Sequence, residues 1–140
     1  MKIEIQKLSK NATLPNYAHE HDAGMDLYSA NEIEIPPHSR VLVPTGIAVA
    51  ISEGYVGLIW DKSGIATKNG ITTLAGVIDA GYRGEINVLV HNLSDTPYLV
   101  GTRNKIAQML IQPVITPEII ETEALSSSDR GDKGFGSSGI

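Results

Sequence analysis

Short apolar runs rich in Val and Ile, each cut off by turn-forming residues, restrict the fold of this chain more than any other feature. Apolar and polar residues alternate from Lys2 to Leu8, and further runs span Val41–Ile51, Tyr55–Trp60, Ile86–Val90 and Ile106–Ile115. Alternation with β-branched content is a strand signal. Turn chemistry separates the runs at Pro36 and Pro37, Pro44 to Gly46, Glu53 and Gly54, Asn92 to Pro97, and Pro113. Many short strands at such spacing predict an antiparallel sandwich or barrel. One segment interrupts the pattern. In SGIATKNG, Ser63 is a candidate N-cap, the residues after it can form helix, and Gly70 can end it, so a single short helix is expected there. No internal repeat is visible.

A length of 140 residues fits one domain, and 41% hydrophobic against 19% charged residues describes a folded chain. The formal net charge of −5 argues against a sequence-independent grip on long nucleic acid, which depends on many basic side chains releasing counterions from phosphates. Phosphate binding, if present, must be local. The absence of cysteine excludes disulfides, thiolate metal sites and thiol catalysis. The opening MKIEIQKLSK has no continuous apolar stretch of signal type, and no segment approaches the roughly 20 apolar residues of a membrane span. The expectation is a soluble, unprocessed, intracellular protein of the cytoplasm with no membrane partner. From Ser126 the chain reads SSSDRGDKGFGSSGI, polar and glycine-rich. The expected organisation is therefore a β domain over residues 1–125 and a flexible arm over 126–140.

Five constellations could carry chemistry. In AGMDLYSA, Asp26 sits between apolar neighbours, where an aspartate also serves as a plain hydrogen-bond acceptor at a turn or strand end. Lys62, Ser63 and Gly64 open the expected helix, and a cation, a hydroxyl and unpaired backbone N–H groups there suit an anion, although a capped helix with a solvated lysine needs the same residues. In LAGVIDAGYRGEINVLV an apolar run ends at Asp79, turns through Ala80 and Gly81, and resumes past Gly84, which predicts a hairpin with Asp79 and Tyr82 at its mouth. Gly76, Gly81 and Gly84 would let a ligand approach the backbone, and an ordinary turn aspartate fits equally well. Gln108, after Lys105, Ile106 and Ala107, can donate to phosphate oxygen or simply face solvent. The tail holds Arg130, Phe135, Gly136 and Ser137: an arginine for phosphate, an aromatic face for a base, and backbone donors for anionic oxygen.

In order, AGMDL, KSGIATKNGI, GVIDAGYRGE, KIAQM and RGDKGFGSSG resemble the five motifs of the homotrimeric dUTPase family, over residues Ala23 to Gly139. The resemblance implies an all-β, jelly-roll-like distorted barrel with one short helix, assembled as a homotrimer with shared active sites. It implies hydrolysis of dUTP to dUMP and pyrophosphate, which limits uracil in DNA and supplies dUMP for thymidylate synthesis. By the same resemblance Asp79 is the base that activates water for attack at the α-phosphorus. Tyr82 packs on the deoxyribose where a ribose 2′-hydroxyl would clash. Backbone at Gly76, Val77 and Ile78, together with Asn87, pairs with the uracil edge. Lys62, Ser63, Gly64, Gln108 and Arg130 hold phosphates. Phe135 stacks on uracil, with Gly136 and Ser137 near the terminal phosphate. Magnesium is the implied cofactor, carried by phosphates and water with Asp26 in an outer supporting position and no direct protein ligand.

Lys62 stands where the family usually has arginine, keeping the charge but losing a bidentate fork. Asp61 replaces a proline, Gly81 a frequent second aspartate, Arg103-Asn104-Lys105 the common Gly-Asp-Arg, and Thr73 an asparagine of some members. Two other functions compete: a dCTP deaminase or bifunctional deaminase of the same fold, and a nucleotide-binding regulator without turnover. His19, Glu20, His21 and Asp22 offer metal-ligand chemistry, but successive side chains of a strand point to opposite faces, so the four would not converge on one ion, and solvated loops have this composition.

Overall fold

The structure is a computed structural model in which residues 2–132 are described. In chain order these residues form β1 (Glu4–Lys7), β2 (Met25–Tyr28), β3 (Ile33–Ile35), β4 (Arg40–Ala50), β5 (Tyr55–Trp60), α1 (Ser63–Asn69), β6 (Ile71–Leu74), β7 (Val77–Ile78), β8 (Glu85–Asn92), β9 (Tyr98–Val100) and β10 (Lys105–Pro113). One four-stranded sheet has the order β1-β4-β8-β6, a second β2-β10-β5-β7, and β3 pairs with β9. All these pairings are antiparallel.

The alternation read from the sequence is what packs the sheets. Along β8, Ile86, Val88, Val90 and Asn92 are buried while the residues between them are not, as a period of two requires of a strand with one face on the core. Ile86, Val88 and Val90 share one core with Val43, Ile47 and Val49 of β4, Met25 and Leu27 of β2, Ile59 of β5, and Ala107 and Met109 of β10. Ile35 and Val100 close it from the third sheet. The expected all-β, jelly-roll-like architecture with one short helix is present, as three sheets around that core rather than one continuously hydrogen-bonded barrel. Near the start of β10 the pairing to β2 slips between Lys105 and Ala107. That bulge lets the adjacent Ile106 and Ala107 both be buried.

Three local expectations change. The strands β2, β3, β6, β7 and β9 are two to four residues long, too short for a period to stand out in sequence. Ser63 does not cap the helix: Lys62 is the N-cap, with extended backbone and no side-chain capping bond, and Ser63 is the first helical residue. Gly70 ends the helix as expected, in the left-handed conformation at φ 67°. Finally, the apolar segment before Asp79 does not pair with β8. The hairpin partner of β8 is β6, with Ile71 opposite Asn92 and Leu74 opposite Leu89. The intervening chain swings away, and β7 pairs with β5 in the other sheet. Asp79 to Tyr82 is thus a turn within a wide connection between sheets.

Among the described residues the last strand ends at Pro113. Ile115, Ile119, Ile120 and Leu125, beyond it, are largely exposed. Phe135, Gly136 and Ser137 lie outside the described residues. Among the described residues no helix is long and apolar enough to cross a membrane.

Candidate active site

The sequence-predicted residues fall into two groups. The first occupies a cleft of about 310 Å³ lined by Leu42, Val77, Ile78, Asp79, Tyr82, Glu85 and Asn87. Its walls come from both sheets. β8 contributes Glu85 and Asn87 because they alternate with the buried Ile86 and Val88, and the edge strand β7 contributes Val77 and Ile78. Gly76 precedes β7, and its carbonyl accepts the Ile59 N–H at 2.7 Å. A Cβ on Gly76 would lie 2.4 Å from the Ile59 carbonyl oxygen, so this approach requires glycine. Asp79 follows β7 directly, is exposed, and among the described residues its carboxylate makes no hydrogen bond or ion pair. The Tyr82 N–H donates to the Asp79 carbonyl at 3.0 Å. The Tyr82 hydroxyl donates to the Glu85 carbonyl at 2.9 Å, which lays the ring across Gly84, where a Cβ would come within 2.4 Å of that hydroxyl. The Asn87 amide donates to the same carbonyl at 3.2 Å.

Two residues that sequence reading passed over brace this cleft. Arg83 donates through Nη1 to the carbonyls of Ala80 at 2.6 Å and Tyr82 at 2.8 Å, tying the turn that carries Asp79. Glu85 accepts the Gly46 N–H at 2.7 Å through its side chain, joining β8 to an irregularity of β4. Neither is announced by local sequence, because both act through backbone that is distant or unremarkable in composition.

The second group lies on the outer face of β2, β10 and β5. Gln108 is opposite Asp26 on one side and Trp60 on the other, while the alternating Met25, Leu27, Met109 and Ile59 point to the core. Asp26 is 1% exposed. Its Oδ1 is held by the Lys62 ammonium, and its Oδ2 faces the Lys105 ammonium at 2.7 Å. Burial alone would raise the Asp26 pKa, but hydrogen bonds and charge from Lys105 and Lys62 outweigh it and hold the carboxyl below its ordinary value. Asp26 in turn pushes the Lys105 ammonium above its usual value. Lys105 was not among the expected site residues. The Gln108 amide donates to the Asp61 carbonyl at 2.8 Å and packs over Gly24, where a Cβ would come 2.4 Å from its Oε1. Ser63 and Gly64 are exposed one step beyond Lys62. Arg130 is exposed near the end of the described residues.

Among the described residues no group of three His, Cys, Asp or Glu could hold an ion, and both oxygens of Asp26 already face ammonium groups. At residues 19–22 the Asp22 carboxylate accepts the His19 N–H at 2.9 Å, an ordinary turn contact.

The chain is 46% identical to the deoxyuridine 5'-triphosphate nucleotidohydrolase of Mycolicibacterium gilvum, with 98% of this chain and 94% of that one covered. It is 44% identical to the enzyme of the same name from Oryza sativa subsp. japonica, covering 99% and 81%. The structure of the dUTPase of Staphylococcus bacteriophage 80alpha with dUPNHPP superposes with a TM-score of 0.94 at 34% identity, covering 99% of both chains. A mutant dUTPase of phage phi11 of S. aureus, described for its coordination of a structural Mg(II) ion, gives a TM-score of 0.85 at 29% identity over 91% of this chain and 100% of that one. A family model described as dUTPase matches residues 10–139, and the chain belongs to the dUTPase family.

Proposed function

We propose that the protein hydrolyses dUTP to dUMP and pyrophosphate, so removing a source of uracil in DNA and supplying dUMP. The observation that carries this reading is the cleft in which an exposed, unpaired Asp79 stands beside Tyr82, Asn87 and the β7 backbone. An unpaired carboxylate can accept a proton from water. Asp79 deprotonates a water, the water oxygen attacks the α-phosphorus, and the bond from that phosphorus to the bridging oxygen breaks with pyrophosphate leaving. The Tyr82 ring, fixed by its hydroxyl to Glu85 and by its seat on Gly84, packs on the deoxyribose and leaves no space for a 2′-hydroxyl. Backbone at Gly76, Val77 and Ile78, with Asn87, pairs with the uracil edge.

Lys62, Ser63, Gly64 and Gln108 hold phosphates through one charge, one hydroxyl and fixed N–H donors. Asp26 keeps Lys62 and Lys105 in place. Magnesium belongs to the triphosphate rather than to the protein, and it offsets the substrate's charge on an acidic protein. The nucleoside cleft and the phosphate-side residues lie on strands that flank β5, β7 on one side and β10 on the other. Subunits of a homotrimer share each site in this reading, with the nucleoside half from one copy, the phosphate half from a second, and the 126–140 arm of another closing over both with Arg130, Phe135, Gly136 and Ser137.

The test incubates the protein with dUTP, dCTP, dTTP and UTP in magnesium and assays pyrophosphate and ammonia. Pyrophosphate from dUTP alone is expected. Ammonia from dCTP, or no turnover of dUTP, would sink the reading.

A further inference from the structure

The start of α1 carries three of the phosphate-side residues, and the helix rests on the core through the half-buried Ile65. It is seven residues long, none of them buried, and it has no side-chain N-cap; an isolated helix of that length is unstable in water. Its far end is secured by the Leu93 N–H, which donates to the Gly70 carbonyl at 2.8 Å. Its near end is tied to β2 by the Lys62 ammonium on Asp26 and to β6 by Asp61. The Oδ1 of Asp61 accepts the Thr73 N–H at 2.6 Å and the Thr73 hydroxyl at 2.7 Å, and Oδ2 accepts the Thr72 hydroxyl at 2.9 Å. The backbone carbonyl of the same residue accepts the Gln108 amide at 2.8 Å. One half-buried residue thus ties β6, β10 and the entry to α1 together.

We infer that Asp61 is a positioning residue: its carboxylate, clamped by Thr72 and Thr73, fixes both the backbone from which Lys62, Ser63 and Gly64 project and the carbonyl on which Gln108 rests. The phosphate-binding consequence depends on the dUTP-hydrolase reading; the mechanical one does not. Three donors on one carboxylate are strong hydrogen bonds, and their loss frees a short helix end rather than a core element.

Asp61→Ala and Asp61→Asn in the full chain separate the possibilities. Asparagine keeps Oδ1 for both Thr73 donors and offers Nδ2 to the Thr72 hydroxyl, which can accept. In Asp61→Ala, amide exchange over residues 62–66 should quicken about tenfold with Ile86–Val90 unchanged, and KM for dUTP should rise about tenfold with kcat within about threefold. Affinity for deoxyuridine, which has no phosphate, should not change. Asp61→Asn should stay within about twofold on every measure. Should the alanine variant fail to fold, Thr73→Val, which removes one donor only, should show the same changes in smaller degree. Unaltered exchange over 62–66 in the alanine or valine variant would overturn the inference, as would an asparagine variant as impaired as alanine. Quickened exchange with an unchanged KM would overturn the phosphate-positioning role. If the unmodified chain does not hydrolyse dUTP, the proposed activity falls while the exchange result still decides whether Asp61 fixes the helix start.

Discussion

Two aspartates show how environment divides one residue type into different tasks. Asp79 is solvent-exposed on a turn that Arg83 braces, and its proposed role requires a free basic oxygen. Asp79→Asn preserves shape but not basicity, so nucleotide affinity should persist while kcat drops by about 10²- to 10⁴-fold; single-turnover assays beside binding of a non-hydrolysable analogue will check this, and an undiminished kcat would remove Asp79 from the mechanism. Asp26 is buried between Lys62 and Lys105. Because its folded pKa lies below the ordinary 3.8, its contribution to stability is complete above that value and is lost as pH falls through the lowered one. Lys105, raised above 10.5, contributes until pH climbs through its raised value. Asp26→Asn should therefore lower stability at neutral pH by about 1–3 kcal/mol, discounted for the partial exposure of both lysines, and flatten the loss of stability below about pH 4. Denaturant titrations from acid to neutral pH will show whether the two curves converge. Sequence marked both aspartates but not their difference, since the lysine that completes the Asp26 cluster is 79 positions away.

At the scale of elements, β5 joins the two groups of candidate site residues. It pairs with β10, which presents Gln108, and with β7, which leads into Asp79. Gly76→Ala would drive a Cβ into the Ile59 carbonyl and disturb the Ile59 N–H bond to the Gly76 carbonyl. The expected cost is about 1–3 kcal/mol, with weakened nucleoside binding because β7 must shift. Thermal unfolding together with dUMP affinity will measure both, and a variant with native values would show that β7 has room to adjust. The long strands and the helix stop at Gly70 were legible because alternation and a left-handed glycine are local signals. The true partner of β8 was not, because β6 and β7 are both too short to show a period, and which of them pairs is settled by contact between sheets.

For the whole molecule, the proposed sharing of sites between subunits predicts function only in an assembly. Light scattering should give three times the mass of the chain, and mixing Asp79→Asn chains with Gln108→Ala chains should restore part of the activity neither has alone; a fully active monomer would contradict shared sites. Removal of residues after Ser128 should leave the oligomer folded, since the core cluster lies within Ala12–Met109, while dUTP turnover falls at least about tenfold. Full activity of that form would make the arm a bystander. By itself the sequence determined an all-β fold, because alternating Val and Ile can bury one face only as strands, and it marked the five motifs, because glycine, aspartate and amide side chains at those spacings are local chemistry. Only the tertiary structure decided which motifs meet. Register set Gln108 against Asp26, the inter-sheet swing at β7 set Asp79 beside Asn87, and Asp61 acquired its three donors from β6, all through pairings between segments whose distance along the chain conceals their contact in space.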